Sequence, residues 1–497
     1  MPDPTGVTLA PDALGPALRL LRLVHDALDS PAWLVGGAVR DALLGFPVRD
    51  LDLTLPAGSL GAARRLADRL GAAFVPLSEP HGIARVVVRE PVPTLIDLAD
   101  FRGPTLEADL AGRDVTVNAL AVGLGDLLRG ATSVADPTGG LADLAARRLR
   151  ACAVTAFHDD AIRILRLLRE ASALGFTVEP ETEQLARDAV PRLATVAAER
   201  VRDELTRLLG LPASAATVRR ADAWSVARTL VPETAPMRAT TQSAPHRFTV
   251  WEHSLRALEA LEALLEDPSF LAPHDGRVVA HLTESLGSGL TRREVLKVAV
   301  LLHDVAKPET RSVDPDGRVR FTGHDRLGAD RVAAIAARLR WPGPAARVIE
   351  QLVRQHLRPM HLGMLDAISP RARYRFFRDV GDEVPDLVCL TIADAAGTDG
   401  RSPAAVYRGA TRILLESLLA GQTEAAREAA VPPLLRGGDV MAAFALPPGP
   451  EVGRLLRQAR EAQALGLVQT REEALAWLRT SRAKPGTLRL TAPDGAA

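Results

Sequence analysis

Asp50 and Asp52 stand two apart in "RDLDLTLP", with Leu51 between them and Leu53 beyond. On an extended strand residues i and i+2 share a face, so both carboxylates point one way and the leucines the other. Carboxylates so close repel unless a cation lies between them, and Mg2+ prefers hard oxygen ligands of this kind. Upstream, the Gly36-Gly37 pair lets the backbone approach a polyphosphate where a helix start offers free N–H groups. Arg40, of the Arg40-Asp41 pair one turn into that helix, could reach the same phosphates. A second concentration of chemistry lies further on: His253, the adjacent His303-Asp304, His324, His356 and Asp394. A lone helix histidine is more often a satisfied polar residue than a ligand. Most of the 11 histidines, however, crowd into this one region among acids.

The elements that must hold these groups follow from periodicity. "PAWLVGG" reads as a short strand ending in glycines, and "AVRDALLG" as a short helix closed by Gly45. "RDLDLTLP" alternates as a strand, "LGAARRLADRLGAA" reads as a helix, and "GIARVVVRE" and "PTLIDLADF" as two further strands. The N-terminal part is therefore an α+β head with a mixed sheet. From about Leu141 strand patterns vanish and helix follows helix, which predicts an all-α remainder. The expected segments are 1–140, 141–245, 246–400 and 401–497.

With 47% hydrophobic and 25% charged residues among 497, the chain forms cores. Aromatic content of 4% excludes broad stacking platforms for nucleic acid, and zero formal net charge excludes a uniformly basic surface. Any RNA contact must then come from local arginine clusters. Cys152 and Cys389 are too few for a disulfide framework or a thiolate zinc site. Neither a leader-like start nor a membrane-length apolar run is apparent, so a cytoplasmic enzyme with no membrane partner is expected.

The combination G-G-x-V-R-D, L-G, D-x-D at this spacing resembles the head of the tRNA CCA-adding enzyme and poly(A) polymerase family (class II), within the polymerase-β-like superfamily. In that family the paired aspartates hold catalytic Mg2+, and Asp50 and Asp52 match them. A third carboxylate on a neighbouring strand is typical. Asp97 in "LIDLADF" is the candidate, with Asp100 as competitor on the opposite face. "GRDVTVNALAV" resembles the family's R-R-D-F-T-I-N-A-L motif: Arg113, Asp114, Thr116 and Asn118 match, whereas Gly112 replaces the first arginine. Read without the family, this segment is a helix start capped by Asp114 and Thr116. "DPTGGLADLAARRLR" matches an element that looks like a hinge between head and neck. "FHDDAIRILRLLREASALGF" resembles F-x-E-D-P-L-R-I-L-R, and there Asp160 and Arg163, three apart on a helix, share a face. The resemblance makes them base readers: a carboxylate accepts from the exocyclic amine of cytosine, an arginine donates to its ring acceptors, and C or A is admitted without a template. An ordinary surface ion pair is the alternative. Arg166, one turn later, would reach the triphosphate or the base.

Typical CCA-adding members carry an extended flexible segment between the third-carboxylate strand and the second motif, and here Arg102 is followed at once by "GPTLEADLAGRD". Members lacking it tend to add CC only. The resemblance therefore implies CMP addition from CTP to the tRNA 3′ end, with a separate A-adding enzyme acting next. A full CCA-adding or A-adding enzyme using ATP, a poly(A) polymerase, and a non-catalytic RNA-binding protein are the alternatives. The order H…HD…H…H…D resembles the HD superfamily of metal-dependent phosphohydrolases. His253, His303, Asp304 and Asp394 match its core ligands, with His324 and His356 available to a second metal. This donor set suits Mn, Ni, Fe or Zn better than Mg, and it implies a second, phosphohydrolase activity. The tail resembles the family's tRNA-supporting C-terminus, where Arg454, Arg457 and Arg460 could contact RNA or form a solvated face.

Overall fold

Leu51, Leu53 and Leu55 are at most 1% exposed, while Asp52 between them is only half-buried. That alternation makes Leu51–Leu55 (β2) a strand with one apolar and one acidic side. In the computed structural model, which describes residues 6–89 and 94–483, β2 lies inside a six-stranded mixed sheet. The other strands are Trp33–Val35 (β1), Ala73–Ser78 (β3), Ile83–Val88 (β4), Thr94–Asp100 (β5) and Ala121–Gly123 (β6), in the order β3-β4-β5-β2-β1-β6. Only β2 and β5 run parallel, with Asp52 opposite Asp97. β4 is antiparallel to β5 and sets Arg85 opposite Asp97.

Helix Gly37–Leu43 (α1) follows β1 directly, and helix Ser59–Leu70 (α2) lays Ala62, Ala63, Leu66 and Ala67 on the sheet. Gly71, in the left-handed region, stops α2. The helix expected through Ala73 is therefore shorter, and Ala73 opens the strand β3 that periodicity missed. Residues 90–93, where two predicted strands meet, lie outside the described residues. Helices Leu106–Ala111 (α3), Arg163–Leu174 (α4) and Ala198–Leu209 (α5) complete what concerns the first site.

The chain divides into two compact units, Met1–Pro232 and Glu233–Ala497. The second is helical, as expected. Helix Val250–Glu266 (α6) starts at Thr249, whose hydroxyl accepts from the Glu252 N–H, and helix Arg292–Leu302 (α7) starts with a Thr291–Glu294 capping box. Helices His324–Arg338 (α8), Gly343–Gln355 (α9) and Val384–Asp399 (α10) pack around them. α10 approaches α6 so closely that a Cβ on Gly397 would stand 2.8 Å from the Ala257 nitrogen. Helices Gly409–Ala430 (α11) and Pro450–Ala464 (α12) follow, and the tail has its own core around Leu455 and Leu478. Strands do not vanish after Leu141. Short ladders occur at Arg148–Leu149 with Thr177–Val178 and at Arg311–Val313 with Val319–Phe321. Two or three residues are too few to show an alternation.

Candidate active site and candidate metal centre

The first unit's site is built on the polar face of β2. Asp52 and Asp97 are in register on parallel neighbours, so their side chains project side by side. Asp50 is an exposed residue at a bend one position before β2 begins, not inside the strand as expected. Burial and then the charge of Asp97 hold the Asp52 carboxyl above the ordinary range; Asp50 adds to the rise, while Arg113 and Arg166 oppose it. Three carboxylates and two arginines thus share one field, and the acids repel in the way a bound cation would relieve. Oxygen donors only, partly exposed, fit Mg2+. Gly36 has φ +72°, and a Cβ there would meet Arg113 Nη1 at 3.2 Å and Asp52 Oδ2 at 3.5 Å. Glycine therefore both makes the turn and keeps the floor beside Asp52 open. Asp100 is set apart: its Oδ1 accepts from the Ser59 N–H at 2.8 Å, at the start of α2.

The second motif is not a helix start but a short 3₁₀ turn, Thr116–Asn118, leading into β6. Asn118 Nδ2 donates to Asp114 Oδ1 at 3.2 Å and to Glu170 Oε2 at 2.9 Å, and its Oδ1 accepts from Arg40 Nη1 at 2.6 Å. Arg40 is 9% exposed and also binds Asp41, with Nε to Oδ1 at 2.8 Å. Its guanidinium is held inside by Asn118 and Asp41, with Glu170 Oε1 3.7 Å away, so the expected reach to the phosphates would require giving up these contacts. Arg113 binds Asp109 at 3.2 Å, and Arg166 stands 3.2 Å from Asp114. Against the opposing effect of burial, Arg166, the Val115 N–H and Asn118 hold the Asp114 carboxyl below the ordinary range. Burial pushes the Glu170 carboxyl up, and Asp114 adds to it.

Asp160 and Arg163 do not share a helix face. Asp160 ends the short helix Ala156–Asp159 in an extended conformation, and Arg163 begins α4. The extended backbone at Asp160 itself breaks the helical spacing assumed from sequence. Arg163, 9% exposed, donates to the carbonyls of Gly112 at 2.8 Å and Arg113 at 3.2 Å. Asp160 accepts from Arg200 on α5 at 2.7 Å. Sequence reasoning missed Arg85, Asp109, Glu170 and Arg200. Arg85, Glu170 and Arg200 act through partners twelve or more residues away, so no local pattern marks them, whereas Asp109 pairs with Arg113 four residues on.

The second unit gathers all six expected residues. His253 lies in the first turn of α6, His303-Asp304 just past α7, His324 at the start of α8, His356 at the end of α9 and Asp394 on α10. His303, His324 and His356 each set Nδ1 against a backbone carbonyl, of Val300 at 2.8 Å, Phe321 at 2.6 Å and Val353 at 2.7 Å. A carbonyl only accepts, so each Nδ1 carries a proton and each Nε2 faces the centre, with its lone pair open to a cation when the ring is neutral. The Nε2 atoms of His253 and His303 are 3.3 Å apart, and those of His324 and His356 3.2 Å. Asp304, 1% exposed, lies between the pairs: Oδ2 is 3.2 Å from His303 and Oδ1 3.3 Å from His324. Asp394 Oδ1 closes the first group, 3.0 Å from His253. Facing lone pairs repel, so this arrangement fits two cations sharing Asp304, with groups His253–His303–Asp304 and Asp304–His324–His356. Although burial pulls it down, Asp304 and Asp394 hold His303 up to about 10, so a proton there does the work of a cation. Burial, with the charge of His303, pulls His356 down to about 4. Lys307, which sequence reasoning passed over, places Nζ 2.6 Å from Asp304 Oδ2 and 2.7 Å from Gln242 Oε1. As one of three lysines, a helical turn past Asp304, it carried a usable signal. In the tail, Arg454 binds Glu451 at 2.6 Å and Arg460 donates to carbonyls at the end of α11, while among the described residues Arg457 has no polar partner.

Three family models match. The poly A polymerase head domain covers residues 32–150, the probable RNA and SrmB-binding site of polymerase A covers 175–238, and the HD domain covers 250–396. The chain is 38% identical over 463 residues to an A-adding tRNA nucleotidyltransferase of Deinococcus radiodurans, covering 92% of this chain and 97% of that one. It is 33% identical over 450 residues to a CC-adding tRNA nucleotidyltransferase of Geobacter sulfurreducens, covering 90% and 91%. A solved CCA-adding enzyme in an apo form shares the fold, with a TM-score of 0.58 and 21% identity over 95% of this chain and 96% of that one.

Proposed function

The chain belongs to the tRNA nucleotidyltransferase and poly(A) polymerase family, and on that premise we propose that it adds nucleotides to the 3′ end of tRNA without a template, taking CMP from CTP and releasing pyrophosphate. The register that sets Asp52 beside Asp97, with Asp50 in the same field, carries this reading. Asp50, Asp52 and Asp97 would hold Mg2+, which supplies positive charge to the attacking and leaving oxygens of an in-line displacement. Gly36, and Gly37 after it, leave room for the triphosphate beside the acids. Arg113 and Arg166, whose charges oppose the rise of the Asp52 carboxyl, take the phosphate contacts that Arg40 is too enclosed to make. Asp109 holds Arg113, and Asp114, itself bonded by Asn118, holds Arg166. Arg163 braces the Gly112–Arg113 turn, and Asp160 reads the base after exchanging Arg200 for the amine of cytosine or adenine.

A short link supports a CC product. From the end of β5 the chain reaches the second motif through one turn and the six residues of α3. The A-adding relative favours a second reading, transfer of AMP from ATP. Incubation with tRNA lacking its whole CCA end, and with tRNA ending in CC, each with CTP or ATP, separates the two. CC on the first substrate and nothing on the second is expected; A on the second overturns the CC assignment. Loss of all incorporation in Asp52→Asn is the control for the site.

The HD centre would hold Mn, Ni, Fe or Zn on His253, His303, Asp304, His324, His356 and Asp394 and cleave a phosphoester. Residues 1–140, 141–245, 246–400 and 401–497 would act as head, neck, HD domain and tRNA-supporting tail. Among the described residues no helix is long and apolar enough to cross a membrane.

A further inference from the structure

Three side chains form a row across adjacent strands: Asp52 on β2, Asp97 on β5 and Arg85 on β4. Arg85 grips Asp97 with both arms of its fork, Nε to Oδ1 at 2.7 Å and Nη2 to Oδ2 at 2.8 Å. Its charge is also felt with those of Asp50 and Asp52. The side chains are 28% and 24% exposed, so water and ions can reach the pair. A fork of this kind takes one lone pair on each carboxylate oxygen and neutralises the charge that would draw in a cation. A divalent cation between Asp52 and Asp97 would compete with it for that charge.

We propose that Arg85 is the resident counter-ion of the transfer site: it occupies Asp97 until a divalent cation displaces it, and so sets the cation concentration the reaction requires. Arg85 is a positioning residue, since it acts through Asp97 on the cation and touches no reacting atom. The proposal rests on Asp50, Asp52 and Asp97 as cation ligands. It explains why a site with three acids is stable before it is loaded. It also predicts a coupling that neither Asp50 nor Asp52 alone would give.

The test is Mn2+ binding to the full chain by electron paramagnetic resonance without nucleotide, taking the part lost in Asp52→Asn as the head site. Arg85→Gln is expected to bind this Mn2+ about threefold or more tightly, the scale of a half-exposed ion pair. The half-activating Mg2+ for incorporation should fall in parallel. Arg85→Lys, which keeps the charge but not the fork, should lie between Gln and wild type. Unchanged or weaker binding in Arg85→Gln overturns the proposal, as does a Lys variant indistinguishable from wild type. If Asp52→Asn removes no bound Mn2+, the reading of the acids as ligands fails first.

Discussion

Asn118 shows how a single amide can organise an active site. It donates to two carboxylates, Asp114 and Glu170, and accepts from Arg40, all of them buried. Its size and neutrality matter, because a charged group there would meet like charge on one side or the other. Asn118→Ala strands three buried polar partners, and by the usual cost of such groups should lose about 1–3 kcal/mol or more of stability in urea unfolding. A loss near zero would mean that water replaces the amide. The motif letters exposed Asn118, Asp114 and Arg113 in the sequence, because each lies in one short segment. They did not expose Glu170, since its role exists only once α4 is laid against the 3₁₀ turn. The enclosure of Arg40 was hidden for the same reason: an arginine after a Gly-Gly pair could face out or in, and the packing of Asn118 and Glu170 turns it inward.

The segment 136–150, expected as a hinge, is tied to its surroundings through Asp143. Its side chain is fully buried, accepts from Thr116 Oγ1 at 2.7 Å, and takes Arg148 at 2.5 Å and Arg150 at 2.8 Å. It therefore ties the second motif to the short strand Arg148–Leu149. Burial raises this carboxyl, but Thr116 and the two arginines together hold it below the ordinary range. A depressed folded value means stability present above the unfolded value of ~3.9 and lost as pH falls through the folded one. Asp143→Asn should destabilise by about 1–3 kcal/mol at neutral pH, because Arg148 and Arg150 are exposed enough to be solvated. The gap to wild type should shrink below pH ~4, as urea midpoints across pH would report. A gap independent of pH would assign the loss to shape rather than charge. Elements with several turns or repeats of the pattern, such as α2 and β2, were legible. β3, the 3₁₀ turn at Thr116 and the two-residue ladders were not, because each is too short for periodicity or begins where a glycine ends a helix.

At the scale of the whole molecule, two chemically distinct centres lie in two compact units. Hard oxygen donors line the first, and imidazoles converge in the second. Asp50→Ala should abolish nucleotide incorporation and leave any Ni2+- or Mn2+-dependent phosphate release intact, whereas His303→Ala should do the reverse. Both are read by parallel radiolabel and phosphate-release assays, and one variant abolishing both activities would show that the centres are not separate. Wild type should also gain melting temperature with Ni2+ or Mn2+, and His303→Ala should lose that gain. The sequence by itself determined the family, the α+β head with its helical remainder, and the identity of most acids and imidazoles, because these depend on residue type and near-neighbour spacing. Tertiary structure alone decided that Asp97 rather than Asp100 stands beside Asp52, that Asp304 lies between two histidine pairs, and that Asp160 and Arg163 part company. Those outcomes depend on strand register, helix packing and a break in one helix, which bring together groups that the chain keeps tens of residues apart.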